Sequence, residues 1–195
     1  MTDIIRNIKG TKDLLPKESR LWLETESIIH NFMSLHGYNL IRTPVFEKTE
    51  LFNRSIGEST DIVNKEMYTW EDRDGTSLTL RPELTASVIR SYIQNQLGSI
   101  SPIHRLYYID SSFRRERPQK GRQRQFTQYG LEAIGSNHYE QDVEIILIAY
   151  RIYEMLGISD LELNINSIGS QRCREKYTKS LIDDETSSES ILGLK

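Results

Sequence analysis

Between Arg114 and Arg124 the chain sets Arg114, Arg115, Arg117, Lys120, Arg122 and Arg124 against a single acid, Glu116. Six cations and one anion give this run a charge of +5, inside a chain whose net charge is −3. Arginine dominates over lysine, and its planar fork suits bidentate recognition of phosphate. Pro118-Gln119-Lys120-Gly121 at the centre predicts a turn. Just beyond it, Phe126, Gln128, Gly130, Glu132 and Ile134 fall on one face of an alternating segment. A ring, an amide and a carboxylate then stand in a row beside the cations. That composition fits a flat base, a polyphosphate and a small polar or cationic molecule. A solvated charged hairpin is the plainer reading. The bias toward arginine and the position of Glu132 among hydrophobic residues argue against it.

The segments that must position these groups read as strands. Leu106–Phe113 and Phe126–Ile134 are rich in aromatic and β-branched residues, which predicts a β-hairpin with a long arginine-rich tip. Upstream, Asp72-Arg73-Asp74-Gly75 predicts a hairpin turn between strands at Met67–Trp70 and Ser77–Arg81. Arg81, Glu83 and Thr85 share one face if the chain stays extended past Pro82. Thr85 can cap a following helix, Ala86–Gln96. Glu83 has two readings: an acid favoured by that helix's dipole, or a carboxylate aimed into the same pocket as Glu132.

The remaining elements follow from periodicity. Residues 17–36 predict a helix, with Leu21, Ile28, Ile29, Phe32, Met33 and Leu35 at helical spacing and Gly37 at its end. Tyr38–Pro44 reads as a strand, Leu51-Phe52 opens a short helix, and Gly57 with Ser59-Thr60-Asp61 marks a loop. Residues 97–105 read as a connecting loop and 140–156 as an amphipathic helix. Leu161–Ile168 alternates like a half-buried strand, and Gln171–Leu181 like a helix. The tail from Asp183 is polar and expected to be disordered.

Composition bounds the class. A chain of 195 residues, 37% hydrophobic and 27% charged, predicts one large globular domain, or one domain with an appendage, with a genuine core. The single cysteine, Cys173, excludes a disulfide framework. Four scattered histidines offer no ligand spacing, so no structural metal is expected. No apolar run reaches the ~18 residues a membrane span needs, and no signal-peptide pattern opens the chain. The expected compartment is the cytoplasm.

The run Arg-x-Glu-Arg-Pro-Gln-Lys-Gly-Arg-x-Arg-Gln-Phe, Arg114–Phe126, resembles motif 2 of the class II aminoacyl-tRNA synthetases in its histidyl form. Other segments agree. Gly10-Thr11-Lys12-Asp13-Leu14-Leu15-Pro16 resembles the opening of that family's catalytic domain. The helix, Gly37-Tyr38 and the strand ending at Pro44 resemble motif 1. Glu50-Leu51-Phe52, Gly57-Glu58, Thr60-Asp61-Ile62-Val63 and Lys65-Glu66-Met67-Tyr68 are similar to the histidyl signature, as is Leu80-Arg81-Pro82-Glu83-x-Thr85. Leu84 stands where most bacterial members carry glycine, and Asp110-Ser111 where many carry Gly-Pro.

The resemblance implies an α+β fold, a class II antiparallel sheet flanked by helices, and ATP-dependent activation of L-histidine with transfer to tRNA(His). By this resemblance Arg114 is the catalytic residue, contacting the α-phosphate and the substrate carboxylate. Glu116 reads the adenine amino group, Phe126 stacks on the ring, Arg122 holds the terminal phosphates, and Mg2+ accompanies ATP. Glu83, Thr85, Arg114, Gln128 and Glu132 bind histidine. Arg115, Arg117, Lys120 and Arg124 meet the tRNA acceptor stem, and Pro44 lies in a homodimer interface built by motif 1. Residues 1–182 correspond to the first part of the catalytic domain. Motif 3 and the anticodon-binding domain are not found, so a shortened, weakly active or inactive form is expected. Two other readings compete: a histidine-sensing, synthetase-like regulatory subunit of ATP phosphoribosyltransferase, and a synthetase-like RNA-binding sensor domain of a stress kinase. An intact nucleotide pocket at Arg114, Glu116, Arg122 and Phe126 separates the synthetase from both.

Overall fold

The computed structural model describes residues 4–56, 66–166, 173 and 177–180. The chain divides into a unit of residues 1–159 and a second of 160–195. In the first, helix α1 (Pro16–Leu35) leads to β1 (Asn39–Leu40), β2 (Phe46–Lys48) and α2 (Thr49–Ile56). Strands β3 (Tyr68–Glu71) and β4 (Ser77–Leu80) precede α3 (Thr85–Gln94) and a short α4 (Leu97–Ile100). Strands β5 (His104–Phe113) and β6 (Gln125–Ile134) then lead to α5 (Tyr139–Met155).

Two three-stranded sheets result, in the orders β1-β5-β6 and β2-β4-β3. Both expected hairpins form, β3 with β4 and β5 with β6, each antiparallel. Gly75, at φ +84°, closes the first by donating to Asp72 O at 2.9 Å. The β1–β5 pair is parallel, which hairpin logic alone did not anticipate.

The β1-β5-β6 sheet is covered on both faces. Tyr107, Ile109, Tyr129 and Leu131 pack against Ile29 and Met33 of α1 and Ile148 and Ile152 of α5. The opposite face, through Leu106 and Tyr108, packs against Leu84 and Val88 at the start of α3. Each fully buried aliphatic side chain here is worth about 1.5–3 kcal/mol. Of the apolar positions expected to line α1, Leu21 and Leu35 are exposed. In the smaller sheet Thr79 is fully buried, its hydroxyl 2.8 Å from Thr49 Oγ1 and 2.9 Å from Thr69 Oγ1.

Four expectations are corrected. The strand expected over Tyr38–Pro44 is confined to Asn39–Leu40, with one further bond from Ile41 N to Tyr107 O at 2.9 Å. Beyond it the carbonyls of Thr43 and Pro44 turn to the guanidinium of Arg81, so they are unavailable to a ladder. Residues 97–105 are not all loop, since α4 forms and β5 begins at His104. Helix α3 ends at Gln94 rather than Gln96, because Gln96 takes a left-handed conformation at φ 51°. Residues 161–166 form no strand despite their alternation. Alternation supplies a face, but a strand also needs a neighbouring backbone.

In the second unit, Cys173 and 177–180 are helical, in keeping with the helix expected there. Gly57 to Lys65 and the tail from Asp183 lie outside the described residues, as do 167 and 168 of the expected strand.

Candidate functional site

The hairpin register decides which side chains meet. Ser112 pairs with Phe126, Asp110 with Gln128, Tyr108 with Gly130, and Leu106 with Glu132. The predicted face of β6 is therefore real, and β5 contributes Tyr108, Asp110 and Ser112 to it. Ser112 donates to Gln128 Oε1 at 3.2 Å. Tyr108 donates to Glu132 Oε1 at 3.3 Å, and Thr85 Oγ1 lies 3.4 Å from the same phenol oxygen. Glu132, Tyr108 and Thr85 thus form one polar cluster across β5, β6 and the start of α3.

Burial sets the electrostatics of this cluster. Desolvation holds the Glu132 carboxyl above its ordinary range, opposed by hydrogen bonds from Thr85 and Tyr108, with the nearby charge of Glu83 pushing the same way as burial. The Tyr108 phenol is pushed up to about 12, first by burial. A cationic group entering here would relieve both. Gly130 has a direct reason to be glycine: a Cβ there would lie 2.4 Å from Tyr108 Oη, so the tyrosine ring occupies the space a side chain would need.

Glu83 follows the helix-end reading. Its carboxylate accepts from Thr85 N at 2.5 Å and Ala86 N at 2.9 Å, satisfying two of the orphan donors of α3. It displaces Thr85 from the capping role that Thr85's position suggested, since Leu84 is the N-cap and makes no side-chain cap bond. Thr85 is left free to face Tyr108. Glu83 remains close enough to raise both Glu132 and Tyr108, so the cap and the pocket share one carboxylate.

At the arginine end, Arg114 Nε donates to Pro82 O at 2.9 Å, and the guanidinium sits over the Phe126 ring, 5.2 Å from its centroid. Glu116 lies between two cations, 3.0 Å from Arg122 and 3.8 Å from Arg114. Its side chain is only 12% exposed, whereas that of Arg122 is 61% exposed. The four groups expected at the nucleotide are thus together, with the acid bridging two of the cations. Arg115, Arg117 and Lys120 are exposed. Arg124 is half-buried, its Nε donating to Glu116 O at 3.4 Å.

The turn at the loop tip closes one residue later than the sequence suggested. Arg122 N donates to Gln119 O at 2.9 Å, and Gly121 holds φ +80° at the third position. Pro118 lies before the turn.

Beneath the site, Arg81 is fully buried. Its Nε donates to Ser111 O at 2.8 Å and its Nη1 to Thr43 O at 2.8 Å and Pro44 O at 3.3 Å. Its Nη2 lies 2.7 Å from Asp110 Oδ1, an ion pair off the hydrogen-bond line. Pro44 is exposed and borders a groove of about 950 Å³ that is also lined by Leu51, Ile89 and Ile93. That groove is lined by none of Arg114, Phe126, Gln128 or Glu132. Among the described residues no group of three or more His, Cys, Asp or Glu side chains could hold a metal ion.

A sequence model of the histidyl-tRNA synthetase family matches residues 10–172. The chain belongs to the histidyl-tRNA synthetase family. A histidine–tRNA ligase of Solibacter usitatus is 51% identical over 178 residues, covering 91% of this chain and 43% of that protein. One from Staphylococcus haemolyticus is 49% identical over 181 residues. The apo histidyl-tRNA synthetase of S. aureus superposes with a TM-score of 0.74 at 36% identity, over 92% of this chain and 42% of that one. A Bacillus halodurans structure titled as an ATP phosphoribosyltransferase regulatory subunit/histidyl-tRNA synthetase shares the fold at 24% identity and a TM-score of 0.69. The chain therefore spans less than half the length of the histidyl-tRNA synthetases it matches, and its mixed helix and antiparallel sheet is part of their class II catalytic fold.

Sequence reasoning missed Tyr108, Ser112 and the clamp role of Arg81. Tyr108 and Ser112 alternate with Asp110 on one face of β5, a signal that becomes readable once the hairpin register is known. No local pattern marks Arg81 as buried.

Proposed function

We propose that this chain carries the ATP- and histidine-binding part of a histidine–tRNA ligase, which joins the histidine carboxylate to the α-phosphate of ATP, releases pyrophosphate and passes the histidyl group to tRNA(His). One observation carries the reading: Arg114 lies over Phe126, beside Glu116, at the end of the strand face that carries Gln128, Glu132 and Tyr108, with Thr85 of α3 against Tyr108. A nucleotide-shaped anion site and a cation-accepting pocket are adjacent, as adenylate formation needs.

In this reading Arg114 leaves Glu116 and the ring face for the α-phosphate and the amino-acid carboxylate. Phe126 receives adenine, and Glu116 exchanges Arg122 for the adenine amino group. Arg122 then holds the terminal phosphates, and Mg2+ arrives with the triphosphate, bound largely by phosphate and water. Glu83, Thr85 and Gln128 receive the ammonium of histidine, and Glu132 its imidazole. Positioning and charge stabilisation supply the rate, with no covalent nucleophile. Arg115, Arg117, Lys120 and Arg124 offer phosphate contacts to the acceptor stem, with salt-sensitive affinity. Pro44 and motif 1 belong to a homodimer interface, and the protein works in the cytoplasm. Among the described residues no helix is long and apolar enough to cross a membrane.

Histidine-dependent ATP–pyrophosphate exchange on the chain, with alanine and lysine as controls, tests this. Exchange with histidine alone is the expected specificity. If the chain lacks residues needed for chemistry, ATP should still quench its tryptophan or tyrosine fluorescence. Absence of both exchange and ATP binding would remove the support for the reading.

Glu132 also makes a pH prediction. Its folded pKa is raised above the ordinary 4.5, so the folded state holds this proton more tightly than the unfolded chain. The resulting stabilisation is fully present below the unfolded pKa and is lost as pH rises through the folded pKa. Denaturant midpoints measured upward from pH 4 should show this loss, and Glu132→Gln should flatten it. Histidine, supplying a cation, should restore midpoint at neutral pH in the native chain and less so in the variant.

A further inference from the structure

The arginine-rich loop is held from outside by a segment that precedes the first helix. Arg124 N donates to Gly10 O at 2.6 Å, and Gln125 N approaches the same carbonyl at 3.4 Å. Gly10 sits at φ +92°, where side-chain-bearing residues are strained. A Cβ at this position would also lie 2.8 Å from Pro118 Cγ and 2.8 Å from Arg124 Cγ, both atoms of the loop. Backbone conformation and packing therefore demand glycine independently.

The segment has its own support. Asn7 Nδ2 donates to Thr11 O at 2.9 Å, Thr11 N to Ile8 O at 2.9 Å, and Thr11 Oγ1 to Ile8 O at 2.7 Å. Residues 7–11 thus form a preformed turn that presents the Gly10 carbonyl outward. On the other flank Arg115 N donates to Glu66 O at 2.6 Å, and Arg114 N to Arg124 O at 2.9 Å closes the base between the two pins.

We infer that Gly10 is a positioning residue for the arginine-rich loop: its carbonyl anchors Arg124, and its missing side chain lets Pro118 and Arg124 close over it. The pin acts on backbone, so it sets where Glu116 and Arg122 stand without neutralising any loop charge. A misplacement of catalytic groups by about 1 Å is enough to cost orders of magnitude in such sites. The affinity consequence rests on the proposed nucleotide site, whereas the structural consequence does not.

The experiment compares the chain with Gly10→Ala by three measurements: timed trypsin digestion read by mass spectrometry, ATP titration by fluorescence, and thermal melting. Cleavage after Arg115, Lys120 and Arg122 should accelerate about tenfold, with cleavage after Lys17 and Arg20 of α1 unchanged, and the ATP dissociation constant should rise about tenfold. The melting midpoint should be nearly retained. Adding Pro118→Ala to Gly10→Ala removes one of the two clashing atoms and should recover part of both effects, as coupled neighbours do. Unchanged loop cleavage would overturn the inference. So would faster cleavage throughout the chain with a lowered midpoint, which would make Gly10 a general stability residue. No recovery in the double variant would overturn the steric part. If the native chain binds no ATP, the nucleotide reading fails by itself, and the digestion pattern alone still decides whether Gly10 positions the loop.

Discussion

Alanine in place of Arg114 is expected to weaken ATP binding about 100-fold, the loss of roughly 2–3 kcal/mol of charge-assisted hydrogen bonding. Without a ligand the fork rests beside the site: Nε is tied to Pro82 O at 2.9 Å, and the guanidinium lies over Phe126. Nη1 and Nη2 remain for a ligand, and of these Nη1 is held loosely by Glu116 at 3.8 Å. Removing them leaves Glu116 with Arg122 alone and exposes the Phe126 ring, so the variant loses a phosphate contact and unbalances the adenine subsite together. Arg114→Lys keeps the charge but not the planar fork or the stacking, and should recover only a minor part. Fluorescence or calorimetric titration at fixed ionic strength measures both. An alanine variant within about twofold of the native chain would mean that another cation holds the phosphates.

The second large effect is on stability. Arg81→Ala should destabilise the fold by about 3–5 kcal/mol, because one buried side chain ties the end of β4 to two distant segments. It binds Thr43 and Pro44 beyond β1, Ser111 on β5, and Asp110, while its own backbone accepts from Phe113 N at 3.0 Å and donates to Val45 O at 2.9 Å. Truncation leaves carbonyls without their donor and a cavity between the two sheets. Asp110 is partly exposed, at 31%, so its share of the loss is screened, and the carbonyls account for most of it. Urea unfolding of the chain should show a lower midpoint at unchanged slope, and the thermal midpoint should fall by about 10 °C. Arg81→Lys should fall between, since one ammonium cannot reach all of these acceptors. A melting curve for Arg81→Ala that matches the native chain would show that these contacts do not support the fold.

Both variants act through a short relay. Arg81 holds the residues around Pro44 on one side, and its neighbour Pro82 holds Arg114 on the other. The loop after β4 is therefore a shared support for the segment at Pro44 and for Arg114. Its next residue, Glu83, caps α3 and contributes to the charge felt by Glu132. Four consecutive residues, Arg81 to Leu84, thus bear on stability, the position of Arg114, the helix start and the electrostatics around Glu132. Leu84 is almost fully buried and packs with Val88 and Tyr108. Its side chain joins the core rather than opening the loop.

The family, and with it the expected grouping of Arg114, Glu116, Arg122 and Phe126, came from the resemblance of the motifs, whereas the arginine-rich hairpin and the faces of β6 were legible in the residues themselves. These are local properties: alternation has a period of two residues, turns are marked by glycine and proline, and a charge run is visible wherever it falls. Only the tertiary structure decided the β5–β6 register across the Arg114–Arg124 connection, and with it the meeting of Tyr108, Gly130 and Glu132. It also decided the parallel alignment of β1 and the choice of Glu83 over Thr85 at the helix end. Residues 161–166 show the limit from the other side, because a good alternating pattern without a ladder made no strand. The burial of Arg81 and the anchoring of the loop by Gly10 are invisible in sequence for one reason. Each joins segments distant along the chain, so its energy depends on which carbonyls the fold brings within reach, and no neighbouring residue records that distance.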